Sequence, residues 1–182
     1  MATGKPHILA NYLALVAKVD ELCGRIEAEF GPHLACRAGC SGCCRHITLS
    51  WVEAVALNVA LRELSAEQAD AVRQNARAAV ASDGPCPLLI DERCALYAAR
   101  PIICRTHGLP ILTVRDDARS IDFCPLNFQG LDTLPGNAVV DLERLNTLLD
   151  SVNRLFIAQC FEQPPAMERL SIAEALLLDI DM

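Results

Sequence analysis

Apolar residues recur at spacings of three and four along residues 8–30. Tyr12, Leu15, Val16, Val19, Leu22, Cys23, Ile26 and Phe30 fall on one face, with polar residues opposite. That period predicts an amphipathic helix, and Gly31-Pro32 ends it. A second helix is predicted from Ser50 to about Leu64, with Glu53 three residues on completing a capping box. A third starts at Ser65, with Gln68 in the same relation, and ends before Asp83-Gly84. Residues 111–123 read as a short hairpin turning at Asp116-Asp117. Residues 126–137, with their Pro, Asn, Gly and Asp, read as a loop. A long amphipathic helix is expected over 138–160, and a last short one from Ser171 with Glu174 as capping partner. There is no internal repeat and no low-complexity linker. The expected fold is mainly α: helices flank a cysteine-rich irregular centre with a small β-hairpin, and bound metal orders that centre.

Composition sharpens this reading. The chain has 182 residues, 52% of them hydrophobic and 21% charged. Folding at this length removes about 70% of the unfolded surface from water. One domain over 1–182 is expected, with an N-terminal helix in 1–34, a cysteine-rich core in 35–128 and C-terminal helices in 129–182. Aromatic residues are only 4%, too few for a base-stacking platform. Net charge is −7, distributed as −1 over 1–34, 0 over 35–125 and −6 over 126–182. An acidic surface of that kind excludes nucleic acid as a partner. No apolar run is long enough to span a bilayer. The opening residues lack the pattern of a secretory signal, so a cytoplasmic location is expected, with a protein partner left open.

Ten cysteines change the picture most. In a reducing compartment that number points to metal binding or redox chemistry rather than to disulfides. Cys36, Cys40, Cys43 and Cys44 lie within nine residues, separated by Gly39 and Gly42. Glycine lets the chain turn tightly, so thiolates two or three residues apart can converge. Cys43 and Cys44 are adjacent; their side chains diverge and need not bind the same ion. Cys86, Cys94, Cys104 and Cys124 follow at wider spacing, three of them close to Pro87, Pro101 or Pro125. His107, three residues after Cys104, is a further candidate ligand. Cys23 and Cys160 sit on the apolar stripes of predicted helices and read as core residues. Eight candidates remain, enough for two four-thiolate centres, or for one with spare thiols.

Stretches 36–46 and 93–107 carry arginine and no acid. Guanidinium groups there would favour thiolate over thiol and offset the negative charge of a four-thiolate centre. Arg100 and Arg105 are the candidates for that role toward the cofactor. An iron–sulfur cluster is favoured over zinc, because zinc motifs come as paired C-x₂-C knuckles and only Cys40/Cys43 has that spacing. The Cys36-x₃-Cys40-x₂-Cys43 spacing also matches radical S-adenosylmethionine enzymes. Against that reading, Cys44 sits alongside, Gly42 replaces the usual aromatic, and no strand–helix series is present. Catalytic fingerprints such as G-x-S-x-G, H-E-x-x-H or a phosphate loop are also missing.

The run C-x₃-C-x₂-C-C, then C-P-L, C-x-L-Y-x₂-R-P-x₂-C-R and a later C-P, resembles the YkgJ-type cysteine-cluster family. The resemblance covers residues 36–128. It implies a zinc- or iron-chelating domain built on Cys36, Cys40, Cys43, Cys44, Cys86, Cys94, Cys104 and Cys124, with Arg100, Pro101 and Arg105 in the motif. A similar cysteine region occurs in flagellin lysine methylases, which keeps a cluster-dependent methylase-like or redox enzyme as an alternative. A metal-shaped interaction module is another.

Overall fold

The computed structural model describes residues 8–37, 39–80, 84–116 and 118–180. The expected end of the third helix at Asp83, the turn residue Asp117 and the first residues of the chain lie outside that set. The chain is mainly α, as its periodicity indicates. Helix α1 runs Ala10–Phe30, and Gly31–His33 closes it with one 3₁₀ turn. Helix α2 is Trp51–Leu61, α3 is Ala66–Ala79, α4 is Ile102–Thr106, α5 is Leu142–Cys160 and α6 is Ile172–Leu176. Between them lie seven short strands: β1 (Thr48–Leu49), β2 (Leu89–Ile90), β3 (Arg93–Cys94), β4 (Ile111–Arg115), β5 (Ala118–Asp122), β6 (Val140–Asp141) and β7 (Leu170–Ser171).

The capping signals act where the sequence places them. Ser50 and Glu53 form a capping box at the start of α2, and Ser171 and Glu174 do the same for α6. The Ser65 hydroxyl accepts the Gln68 N–H at the start of α3. Three boundaries differ from expectation. Helix α2 stops at Leu61 rather than Leu64, because the Glu63 and Leu64 amides bond three residues back, to Ala60 and Leu61. That tightened turn swings the chain directly into α3. Helix α5 starts at Leu142 rather than 138, because Val140–Asp141 is taken into a sheet. There the Asp141 carboxylate caps α5 by accepting the Arg144 N–H at 3.0 Å. The expected loop 126–137 also runs into a 3₁₀ turn at Gly136–Ala138.

Among the described residues there are three small sheets, one of them built on the expected hairpin. Strands β4 and β5 form that hairpin, and β6 adds to β4 in parallel. A second hairpin pairs β2 with β3. The third sheet pairs β1 with β7, Thr48 facing Ser171 and Leu49 facing Leu170.

Two apolar cores share α2. On one side Val52 and Val55 pack with Val19 and Ile26 of α1 and Leu145, Leu149 and Phe156 of α5. On the other, Ala54, Leu57 and Leu61 pack with Val72 and Ala76 of α3 and Ile172 and Leu176 of α6. A helix apolar nearly all round must be central. The cysteine-bearing segments are pinned to both cores: Ile102 and Leu109 enter the first, Leu88 and Leu96 the second. Each such side chain contributes about 2 kcal/mol by leaving water.

Candidate metal centre

The first cysteine cluster leaves the 3₁₀ turn after α1 and folds back in two consecutive turns. The Cys40 N–H bonds the Arg37 carbonyl at 3.0 Å, and the Cys44 N–H bonds the Ser41 carbonyl at 2.9 Å. Gly39, at φ +87°, supplies the left-handed backbone this requires. Backbone bonds then stitch the cluster to the second cysteine group. The Cys86 N–H donates to the Cys44 carbonyl at 3.3 Å, the His46 N–H to Gly84 at 3.4 Å, and Arg45 bridges Pro85.

The β2–β3 hairpin carries Cys94 opposite Leu89. Asp91 and Glu92, both at positive φ, make its two-residue turn. Cys104 rides on α4, whose start is fixed by a distant group. One Glu53 oxygen accepts the Ser50 N–H and hydroxyl, and the other accepts the Ile102 N–H at 3.1 Å. The same buried carboxylate therefore caps α2 and α4.

These supports bring the thiols together. A cavity of about 500 Å³ is lined by Cys36, Cys40, Cys43 and Cys44 from the loop, by Cys86, Cys94 and Cys104 from the second group, and by His107. Arg37, Arg45, Arg93 and Arg100 also line it. The guanidinium of Arg100 lies 3.5 Å over the Tyr97 ring, and its charge favours the thiolates of Cys44 and Cys94. Arg105 stands elsewhere. Its side chain is nearly buried, paired with both Asp20 oxygens at 2.7 Å and bonded to the Arg100 and Ala98 carbonyls. It braces α1 against the Arg100–Pro101 corner and does not line the cavity.

Cys124 does not line the cavity. A Cβ on Gly108 would stand 2.7 Å from the Cys36 Sγ and 3.8 Å from the Cys124 Cβ, so both cysteines crowd this one glycine. Cys23 is buried beneath α1, its thiol 3.6 Å from the Arg105 carbonyl, and Cys160 is half-buried at the end of α5. Both stand apart from the cavity.

Burial pushes the Cys104 thiol up to about 12 and the Cys86 thiol to about 11, and it raises Cys94 and Cys44 too. Mutual proximity adds to this: Cys104 is raised by Cys86, Cys94 and Cys44, Cys86 by Cys94 and Cys44, and Cys44 by Cys94. Backbone N–H groups of Leu88 and Leu96 work the other way, favouring thiolate at Cys86 and Cys94. Burial lowers His107 below the ordinary imidazole value, which keeps it neutral, although a hydrogen bond to the Cys43 backbone opposes the shift. Among the described residues no three Cys, His, Asp or Glu side chains are grouped closely enough to hold an ion as they stand. The thiols face a shared space. The donor set suits a metal, because soft thiolates select zinc, iron and iron–sulfur centres.

A thiol-lined cavity on a helical frame, rimmed by arginine, defines a metal-chelating cysteine-cluster protein. The family model CxxCxxCC, described as "Putative zinc- or iron-chelating domain", matches residues 35–125, half of the chain, and the chain belongs to this family. No curated protein and no solved structure matches it. No helix among the described residues is long and apolar enough to cross a membrane.

One residue that matters here escaped the sequence reading, and a second was read only in part. Asn127 is 1% exposed; its side chain accepts the Ala35 N–H and donates to the Gly108 carbonyl and the Cys36 sulfur. Nothing in the C-P-L-N run distinguishes it from an ordinary loop asparagine. Glu53 was legible as the α2 cap, but its contact with Ile102 was not.

Proposed function

We propose that the protein holds an iron–sulfur cluster in this cavity, with Cys44, Cys86, Cys94 and Cys104 as ligands. The observation carrying the reading is the convergence of these four thiols from separate segments, each within electrostatic reach of the other three. Size supports a cluster over a lone ion. Zinc binds sulfur at about 2.3 Å and needs four thiolates closed around one point. A cavity of about 500 Å³ accommodates a bulkier inorganic core. Amide groups aimed at Cys86 and Cys94, and the charge of Arg100 beside Cys44 and Cys94, would stabilise the anionic assembly; hydrogen bonds to sulfur and net charge are among the factors that set cluster potential.

The test is anaerobic purification followed by iron, zinc and acid-labile sulfide analysis and a visible spectrum. Equal iron and sulfide with broad visible absorption is the expected result. A colourless, folded protein carrying only zinc would overturn the assignment.

A further inference from the structure

Burial grades across the cysteine cavity. Cys44, Cys86, Cys94 and Cys104 are half-buried and form its floor, whereas Cys36, Cys40 and Cys43 are exposed and form its outer wall. The four arginines that line it divide in the same way. Arg100 is half-buried, held by the ring and the carbonyl of Tyr97, and its charge acts on the Cys44 and Cys94 thiols. Arg37, Arg45 and Arg93 are exposed at the mouth, the first two on the cysteine loop and the third on the β2–β3 hairpin.

The mouth arginines are left over from the support of the floor. Arg100 is the one guanidinium that bears on the Cys94 thiol, and none bears on Cys86. Among the described residues none of the three makes an ion pair. Glu27 and Glu92 line the same cavity without pairing to them. Four cations against two carboxylates make this a positive hollow on a chain of net charge −7. A concave wall concentrates such a field on an incoming anion.

Size narrows what the anion can be. A cavity of about 500 Å³ falls among small-molecule sites, which span about 300–1,000 Å³. Arginine forks take carboxylate or phosphate through two parallel N–H···O bonds. Three separate forks match a ligand carrying more than one such group. We propose that the mouth of the cysteine cavity binds a small polyanion, a polycarboxylate or a bisphosphate, through Arg37, Arg45 and Arg93. The site goes beyond the cluster reading and stands whether the floor holds iron with sulfide or zinc.

Calorimetric titration of the metal-loaded full chain tests this, with tricarballylate and fructose bisphosphate as separate probes and metal content measured before and after. Saturable binding of at least one probe is expected, weakening as salt rises; which probe binds tells carboxylate from phosphate. Acetate, which engages one fork, should bind at least about 10-fold more weakly. An R37A/R93A double variant should lose about 10-fold or more in affinity. Arg77→Ala, at an exposed arginine of α3 outside the cavity, should change nothing. If R37A/R93A fails to fold, by circular dichroism, Arg45→Ala reads the same loss. Failure of both probes to bind, acetate binding as tightly as they do, or unchanged affinity in the folded mouth variant would overturn the proposal. Probe binding by a chain without iron, sulfide or visible colour would defeat the cluster reading and leave this site standing.

Discussion

Glu53 is a carboxylate only 3% exposed, with a helix start at each of its oxygens. Its removal leaves the Ser50 amide and hydroxyl and the Ile102 amide without partners in a place water does not reach. Glu53→Ala is expected to cost roughly 3 kcal/mol in urea unfolding. Glu53→Gln should cost less, since one oxygen still serves one helix. The Ser50–Glu53 spacing announces the first of these roles. The second lies 49 residues away, and no local pattern carries it. Cys23 shows the opposite case: its place on the apolar face of α1 already marks it as core, and the structure buries it to 5% exposure. Burial pushes its thiol up to about 11, so at pH 8 almost none is thiolate. Iodoacetamide should modify Cys23 far more slowly than the exposed Cys40 in the folded protein, which peptide mapping would show; equal rates would contradict the burial.

At the scale of elements, the β2–β3 turn carries backbone strain. A left-handed conformation costs a residue with a side chain about 1–2 kcal/mol, and Glu92 adopts φ +61°. Glu92→Gly is expected to stabilise the protein by about 1 kcal/mol, read as a higher urea midpoint. The cap of α6 is sensitive to acid. Hydrogen bonds from the Ser171 amide and hydroxyl hold Glu174 below the usual carboxylate range. The stabilisation it gives is therefore present above the unfolded value and lost as pH falls through the folded one. Long helices and their caps were legible in the sequence because period and cap chemistry are local. Strand β6 was not: Val140 and Asp141 fall inside the stretch whose periodicity predicts the long helix, and only pairing with β4 claims them. The hairpin at β2–β3 was hidden for a similar reason, its strands being two residues each.

Across the whole molecule, the thiol segments hang between the two cores that share α2. Burial disfavours the thiolate at all four of these thiols, and repulsion between neighbouring thiolates adds to it at Cys44, Cys86 and Cys104, so without metal they keep their protons. The folded chain holds protons on Cys86 up to about 11 and on Cys104 up to about 12, whereas exposed thiols release theirs near pH 8.5. Stabilisation from this source is complete below that pH and vanishes as pH rises toward 12. Chelator-stripped protein is expected to lose stability over that interval, while the metal-loaded form, with the same sulfurs ligated, should hold its melting temperature. Loading at neutral pH should also acidify a weakly buffered solution, measurable by a pH indicator. Which thiols meet could not be read from spacing alone, because the meeting depends on Glu53, on the stitch of Cys44 to Cys86 and on Asn127.

The pairing of β1 with β7 bears on the order of events during synthesis. Residues 46–49, directly after Cys44, lean on Leu170 and Ser171, on an Ile172 amide bonded to Ile47 and on an Ala173 amide bonded to the His46 ring. A growing chain gains this last buttress only when residues 170–176 have cleared the ribosome. Ions arriving earlier would meet a cysteine loop with one side unsupported. Stopping translation short of Leu170 should therefore yield a chain that takes up metal but surrenders it quickly to a competing chelator.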